Sequence, residues 1–289
     1  MSSWDGQSDR CVVAVANVVI TEGDVATNLG RCLDAVDTAA AAGADLLVLP
    51  ECALTGYRYH SRDEVRAVSL GLDDAPVTAA SGRAVARGIT VVAGMLERAG
   101  DALYNSAVVL GVDGSVAVVR KSHLPRLGAD RFVDPGDAIG PVVDTACGRV
   151  GVAIFYDFRF PEVCRALSLC GADIVAVPVN WSVEVSVLAD HFVPTRAVEN
   201  RVFVAVADRA GFAAGTEHLG ASRIVGPDGA VVAAPTDCTV ASVTAATVDL
   251  SRARDKATVF ARDEFEIDVF ADRRPDAYGA LTDKIERSR

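Results

Sequence analysis

Short runs of β-branched residues alternate with amphipathic helical segments along the whole chain, and this alternation constrains the fold more tightly than any single motif. Cys11 to Val19 alternates and is rich in valine, the pattern of a strand. Asp24 to Ala42 carries Val25, Leu29, Cys32, Leu33, Val36 and Ala40 at helical spacing and is stopped by Gly43. Leu46 to Leu49 is a continuous apolar strand ended by Pro50, which leaves Glu51 where strand meets loop. Helical stretches at Asp63 to Leu70 and Pro76 to Arg87 lead to an antiparallel run of strands at Ile89 to Leu96, Leu103 to Leu110 and Ser115 to Arg120. The second half repeats the theme. It has a hairpin through Cys147 and Gly148, a strand Val150 to Ile154, a helix Phe160 to Cys170 closed by Gly171, and a strand Asp173 to Val177. A helix at Ala189 to Asn200, a strand Val202 to Ala207, a hairpin Ser222 to Ala234 and a strand Thr239 to Val248 follow.

No low-complexity linker separates the halves, so one α/β domain with two sheets between helical layers is expected over residues 10–272. The charged tail, residues 273–289, is either loose or packed on a partner subunit. Lys plus Arg number 28 against 39 Asp plus Glu, a net charge of -11 with no basic cluster. That balance argues against nucleic acid and anionic membrane surfaces as partners. Met1 to Arg10 lacks the layout of a signal peptide and no apolar run reaches membrane-spanning length, so a cytoplasmic protein is expected. Seven scattered cysteines without Cys-x-x-Cys spacing read as buried free thiols rather than disulfides or zinc ligands. Four histidines without ligand spacing give no support for a metal, and no cofactor is expected.

Four segments, in order, carry a family likeness: Leu49-Pro50-Glu51 with Leu54-Thr55-Gly56-Tyr57; Arg120-Lys121-Ser122-His123-Leu124; Gly151 through Glu162; and Arg196-Ala197-Val198-Glu199-Asn200. Together they resemble the nitrilase, or carbon-nitrogen hydrolase, superfamily over nearly the whole chain. The resemblance implies the four-layer αββα fold and a homodimer paired through the helices near Phe160 to Cys170 and Ala189 to Asn200. It also implies a glutamate as general base, a lysine for the oxyanion and a cysteine nucleophile. Glu51 and Lys121 match the first two. The nucleophile position holds Phe155, which can neither attack a carbonyl nor carry an acyl group. A second family glutamate aligns with Ala129, with Asp130 as a shorter neighbour, so the proton-handling set reads as doubly depleted.

Each candidate has a plainer reading. Glu51 and Lys121 alone are strand-end charges, and as a buried pair each offsets part of the other's desolvation. Cys164 and Cys170 lie in the helix after the motif and read as core thiols. Cys52 adjoins Glu51 but is expected to point away from it. Tyr156 and Asp157 support the turn after the strand, and Arg196 and Glu199 pair at i, i+3. Tyr57, Tyr156, Asn180 and Trp181 are the candidate substrate-binding residues, with packing as the alternative for Trp181. Three functions follow. The first is a thiol-independent enzyme using Glu51 and Lys121 on a small nitrogen-containing or carboxylate substrate. The second is a non-catalytic protein binding a ligand or partner, and the third an amidase with a relocated nucleophile. The first is preferred here, because a buried Glu–Lys pair contributes little net stability and a mere remnant has no energetic reason to keep it.

Overall fold

Two six-stranded sheets form from the valine-rich runs, each built on three parallel strands. The computed structural model describes residues 9–213 and 215–283. The chain runs through β1 (Arg10–Asn17), α1 (Val25–Ala41), β2 (Leu46–Val48), α2 (Arg62–Val68), α3 (Ala75–Arg87), β3 (Thr90–Ala99), β4 (Ala102–Leu110) and β5 (Val116–Arg120). It continues with β6 (Val143–Thr145), β7 (Gly148–Val152), α4 (Pro161–Leu169), β8 (Ile174–Pro178), α5 (Val193–Asn200) and β9 (Phe203–Ala207). Then come the short strands β10 (Phe212–Ala213), β11 (Thr216–Glu217), β12 (Arg223–Val225) and β13 (Val231–Ala233), followed by β14 (Ser242–Asp249) and α6 (Ser251–Arg254). The first sheet has the order β14-β1-β2-β3-β4-β5 and the second β13-β12-β9-β8-β7-β6. Strands β1, β2 and β3 are mutually parallel, as are β7, β8 and β9, and antiparallel strands flank both sets.

Side-chain alternation along the strands decides the layering. Val13, Val15, Val48 and Val92 of the first sheet share one buried cluster with Val150, Val152, Ile174 and Phe203 of the second, so the sheets pack face to face. The intervening residues point outward. Ala14, Leu47 and Val91 meet Val36 and Ala39 of α1 and Ala84 of α3. On the far side Val175, Val177 and Val204 meet Leu167 of α4 and Val193 and Ala197 of α5. Helix, sheet, sheet and helix give the αββα order, and strands covered on both faces read as unbroken apolar runs for that reason. Asp24 caps α1 by accepting a hydrogen bond from the Thr27 amide at 3.0 Å.

The reading of all seven cysteines as free thiols is corrected. Cys11 on β1 and Cys147 beside β7 form a disulfide with a Cα–Cα distance of 5.5 Å, across 136 residues of sequence. Face-to-face packing of the sheets, invisible to spacing arguments, brings them together. Cys32, Cys52 and Cys164 are buried. Cys170 and Cys238 are exposed, so Cys170 is not a core thiol: it caps the C-terminus of α4, beyond the last buried turn.

Residues 255–283 belong to a separate small unit whose regular core is the hairpin β15 (Ala257–Ala261) with β16 (Phe265–Asp268), where Phe260 stacks on Phe265 at 4.5 Å. Among the described residues no helix is long and apolar enough to cross a membrane.

Candidate functional site

Four strand ends converge where the parallel strands of both sheets finish: Glu51 after β2, Lys121 directly after β5, Phe155 after β7 and Asn180 after β8. The Glu51 amide donates to the carbonyl of Val179 at 3.3 Å, a backbone tie between the two sheets. Behind it, β3 must come very close. A β-carbon on Gly94 would stand 2.7 Å from the Glu51 Cα and would also collide with backbone of Pro50 and Cys52, so only glycine lets the strand support this turn. Lys121 is fixed at both backbone ends, its amide donating to Asn105 of β4 and its carbonyl accepting from Gly136, each at 2.8 Å.

The Lys121 ammonium donates to Glu51 Oε1 at 2.7 Å and to Asp130 Oδ2 at 2.5 Å, and both side-chain pairs are wholly shielded from solvent. Asn105 Nδ2 donates to Glu51 Oε1 and to Asp130 Oδ1, both at 2.8 Å. Asn180 Nδ2 donates to Glu51 Oε2 at 2.9 Å, and the Tyr57 hydroxyl donates to Asp130 Oδ2 at 2.9 Å. One buried cation thus serves two buried carboxylates, a set short of one positive charge. Burial pushes the Glu51 carboxyl up to about 7, with Asp130 adding to the rise and Lys121 opposing it. Burial also disfavours the charged ammonium, but Glu51 and Asp130 together outweigh it and hold Lys121 above its ordinary value.

The second carboxylate is therefore present, and the reading of a doubly depleted set is corrected. A one-turn 3-10 helix, Gly128–Arg131, turns Asp130 onto Lys121 and tucks Ala129 into an apolar cluster with Tyr57, Tyr59 and Val65. Spacing from Pro135 could not register that turn. Cys52, at φ 50°, directs its thiol to Asn105 Oδ1 at 3.6 Å, behind the cluster, and burial raises its pKa well above the usual thiol range.

Phe155 opens the turn after β7 at φ 40°, a left-handed conformation that a bulky residue adopts under strain. Its ring centroid lies 4.8 Å from Lys121 Nζ, and the Tyr57 ring lies 5.8 Å away. Asp157 accepts the amides of Ser122 and His123, at 3.3 and 2.9 Å, and contacts His123 Nδ1 at 2.7 Å, clamping the end of β5 to this turn. Arg196 pairs with Glu199 at 3.0 Å and donates to the carbonyls of Phe158 and Arg159.

A cavity of about 440 Å³ opens above the cluster, walled by Tyr57, Gly128, Phe155, Asn180, Ser182 and His218 among others. Glu51, Lys121 and Asp130 do not line it. Of the candidate binding residues, Tyr57 and Asn180 face both the cavity and the charged cluster. Trp181 is 1% exposed and packs with Val177, Leu188 and Val193, while Tyr156 sits edge-on against Phe160 at 5.2 Å, outside the cavity lining. His191 is on the surface. Sequence reasoning missed Asn105, which sits inside β4 with no motif around it. It also missed Glu22, which accepts the amides of Tyr57 and Arg58 and pairs with Arg209 at 2.6 Å. Asp208 was missed too. It accepts the amides of Trp181, Arg209 and Ala221 and so gathers three loops around the cavity.

An αββα sandwich with a Glu–Lys pair at its strand ends defines a nitrilase-type protein. The family model described as carbon-nitrogen hydrolase matches residues 12–258, and the chain belongs to that family. It is 37% identical over 253 residues to a nitrilase of Pyrococcus abyssi, covering 87% of this chain and 92% of that protein. It is 32% identical over 289 residues to deaminated glutathione amidase of Rattus norvegicus, covering 93% and 84%. An amidase mutant from Nesterenkonia sp. AN1, solved with the acetamide moiety of fluoroacetamide covalently added at its active-site cysteine, shares the fold with a TM-score of 0.77. That match covers 96% of this chain and 98% of the other at 23% identity. The NitFhit protein of C. elegans shares the fold with a TM-score of 0.80 over 94% of this chain and 67% of its own, at 24% identity.

Proposed function

We propose that this chain is a carbon-nitrogen hydrolase family member that binds a small ligand in its cavity without acyl transfer, Phe155 standing where the family's cysteine stands. The observation that carries this reading is the seal over the charged cluster. The rings of Phe155 and Tyr57 line the cavity and stand 4.8 and 5.8 Å from Lys121 Nζ, while Glu51 and Lys121 are 0% exposed and do not line it. A general base must come within about 3 Å of the proton that it removes, directly or through one water. Glu51 instead spends both oxygens on Lys121, Asn105 and Asn180. Geometry thus favours the non-catalytic reading over the thiol-independent enzyme preferred from sequence. The relatives' names point to small amides and nitriles as the ligand chemistry to try first.

One observation favours the enzyme reading: a Glu51 carboxyl near 7 suits proton transfer at neutral pH, with Asn180 as the group that a substrate would displace. The experiment is ammonia release from amides, nitriles and carbamoyl compounds, run beside Glu51→Gln, with intact-mass detection of adducts. The expected result is no turnover above the Glu51→Gln background and no adduct. Turnover that disappears in Glu51→Gln sinks the proposal in favour of acid–base chemistry, and an adduct on a cysteine sinks it in favour of a relocated nucleophile.

A further inference from the structure

The cavity's charge runs against that of the chain. The protein carries a net charge of -11, yet four arginines line the cavity; Glu22 pairs with Arg209 at 2.6 Å, which leaves Arg58, Arg126 and Arg131 against one lining carboxylate, Glu184. Convergent positive charge in a concave site concentrates anions there. Two of the lining side chains are also incompletely satisfied. Arg209 is 1% exposed and gives its terminal nitrogens to Glu22 and the Ile20 carbonyl, while its Nε has no partner among the described residues. His218 is 7% exposed; the Trp181 carbonyl faces its ring, but neither ring nitrogen reaches hydrogen-bond geometry with any described residue.

Burial lowers the His218 pKa to about 4, with Arg209 and Arg58 pressing the same way against Glu22 and the Trp181 carbonyl. At neutral pH its ring is therefore an uncharged donor and acceptor. Buried polar atoms without partners are rare in folded proteins and mark a place for water, ion or ligand. Planar guanidinium groups recognise carboxylate and phosphate oxygens in paired fashion.

We propose that the cavity takes a small oxyanion, a carboxylate or a phosphate, held by Arg58 and the Nε edge of Arg209, with His218 supplying a neutral hydrogen bond and Arg126 and Arg131 forming a cationic rim. This rests on the reading of the cavity as a ligand site and names the class of ligand.

The test titrates the whole protein calorimetrically with succinate, inorganic phosphate and the neutral succinamide, at low and high salt, and follows Tm with each. One of the two anions binds and raises Tm, salt weakens it, and succinamide binds at least about tenfold more weakly. Succinate against phosphate separates the two sources of the charge. Arg126→Gln, on the exposed rim, weakens the anion by about tenfold with the unliganded Tm unchanged. His218→Leu lowers affinity while leaving the empty protein as stable or more so, because it removes polar atoms that nothing satisfies. A purely structural histidine gives the reverse, a loss of Tm with affinity intact. Equal binding of succinamide, no binding of either anion to folded protein, or unchanged affinity in both variants overturns the inference. Ammonia release is read in the same samples: its appearance overturns the non-hydrolytic reading and leaves the anion site to be decided by the titration.

Discussion

Replacing Lys121 by methionine keeps the side-chain length and removes the ammonium that Glu51 and Asp130 share. Removing one partner of a buried ion pair typically costs about 3–5 kcal/mol, because the other charge is left unpaired in a dry site. The loss is pH-dependent in a defined direction. Glu51 already sits near 7 in the native protein against an ordinary value of 4.5. An acid whose folded pKa is raised contributes stability that is complete below the unfolded pKa and fades as pH rises through the folded one, here from about 4.5 to about 7. Without Lys121 the Glu51 carboxyl holds its proton to still higher pH, so the deficit of Lys121→Met relative to the native protein grows with pH. Near pH 5 the protonated Glu51 is neutral and keeps its bonds to Asn105 and Asn180, so the deficit is smaller and comes from Asp130 alone. Near pH 8 it reaches about 3–5 kcal/mol. Urea unfolding of both proteins at the two pH values measures the difference. A deficit under about 1 kcal/mol near pH 8, or one equal at both pH values, refutes the account of a charge-deficient buried cluster.

Gly94→Ala forces the backbone of Pro50 to Cys52 away from β3 and displaces Glu51; a loss of about 1–3 kcal/mol in chemical denaturation is expected, and no loss shows that the turn is not held by that approach. Phe155→Cys opens the seal: stability falls by about 2 kcal/mol, and iodoacetamide gains a reactive site mapped to position 155. Amide turnover nonetheless stays below about 1 per second, and faster turnover means that only the thiol was missing. Reducing the disulfide Cys11–Cys147 lowers stability by about 2–4 kcal/mol, read as a shift in the urea midpoint with and without reductant. Leu169 on α4 and Val198 on α5 are 45% and 48% exposed, and a dimer paired through those helices gives a light-scattering mass twice 30.1 kDa; a monomer at micromolar concentration removes the pairing.

The alternation of strands and helices, the positions of Glu51 and Lys121 at strand ends, and the inability of Phe155 to act as a nucleophile were all legible in the sequence. Each follows from local periodicity or from the chemistry of one side chain. The rest depends on distance in space. Asn105 joins Glu51 and Asp130 because β4 lies beside β5 and puts its backbone against Lys121, a fact of sheet order. Asp130, not Ala129, meets Lys121 because a 3-10 turn advances the chain by a step that linear spacing cannot register. Cys11 and Cys147 pair across 136 residues because the sheets pack face to face. The positive cavity in an acidic chain gathers Arg58, Arg126, Arg131 and Arg209 from loops that Glu22 and Asp208 draw together. Net charge sums over the whole chain and periodicity reads one element at a time. Burial, shared hydrogen bonds and local field exist only once distant segments share a site, and those decide here whether Glu51 and Lys121 meet a ligand or lie sealed beneath Phe155.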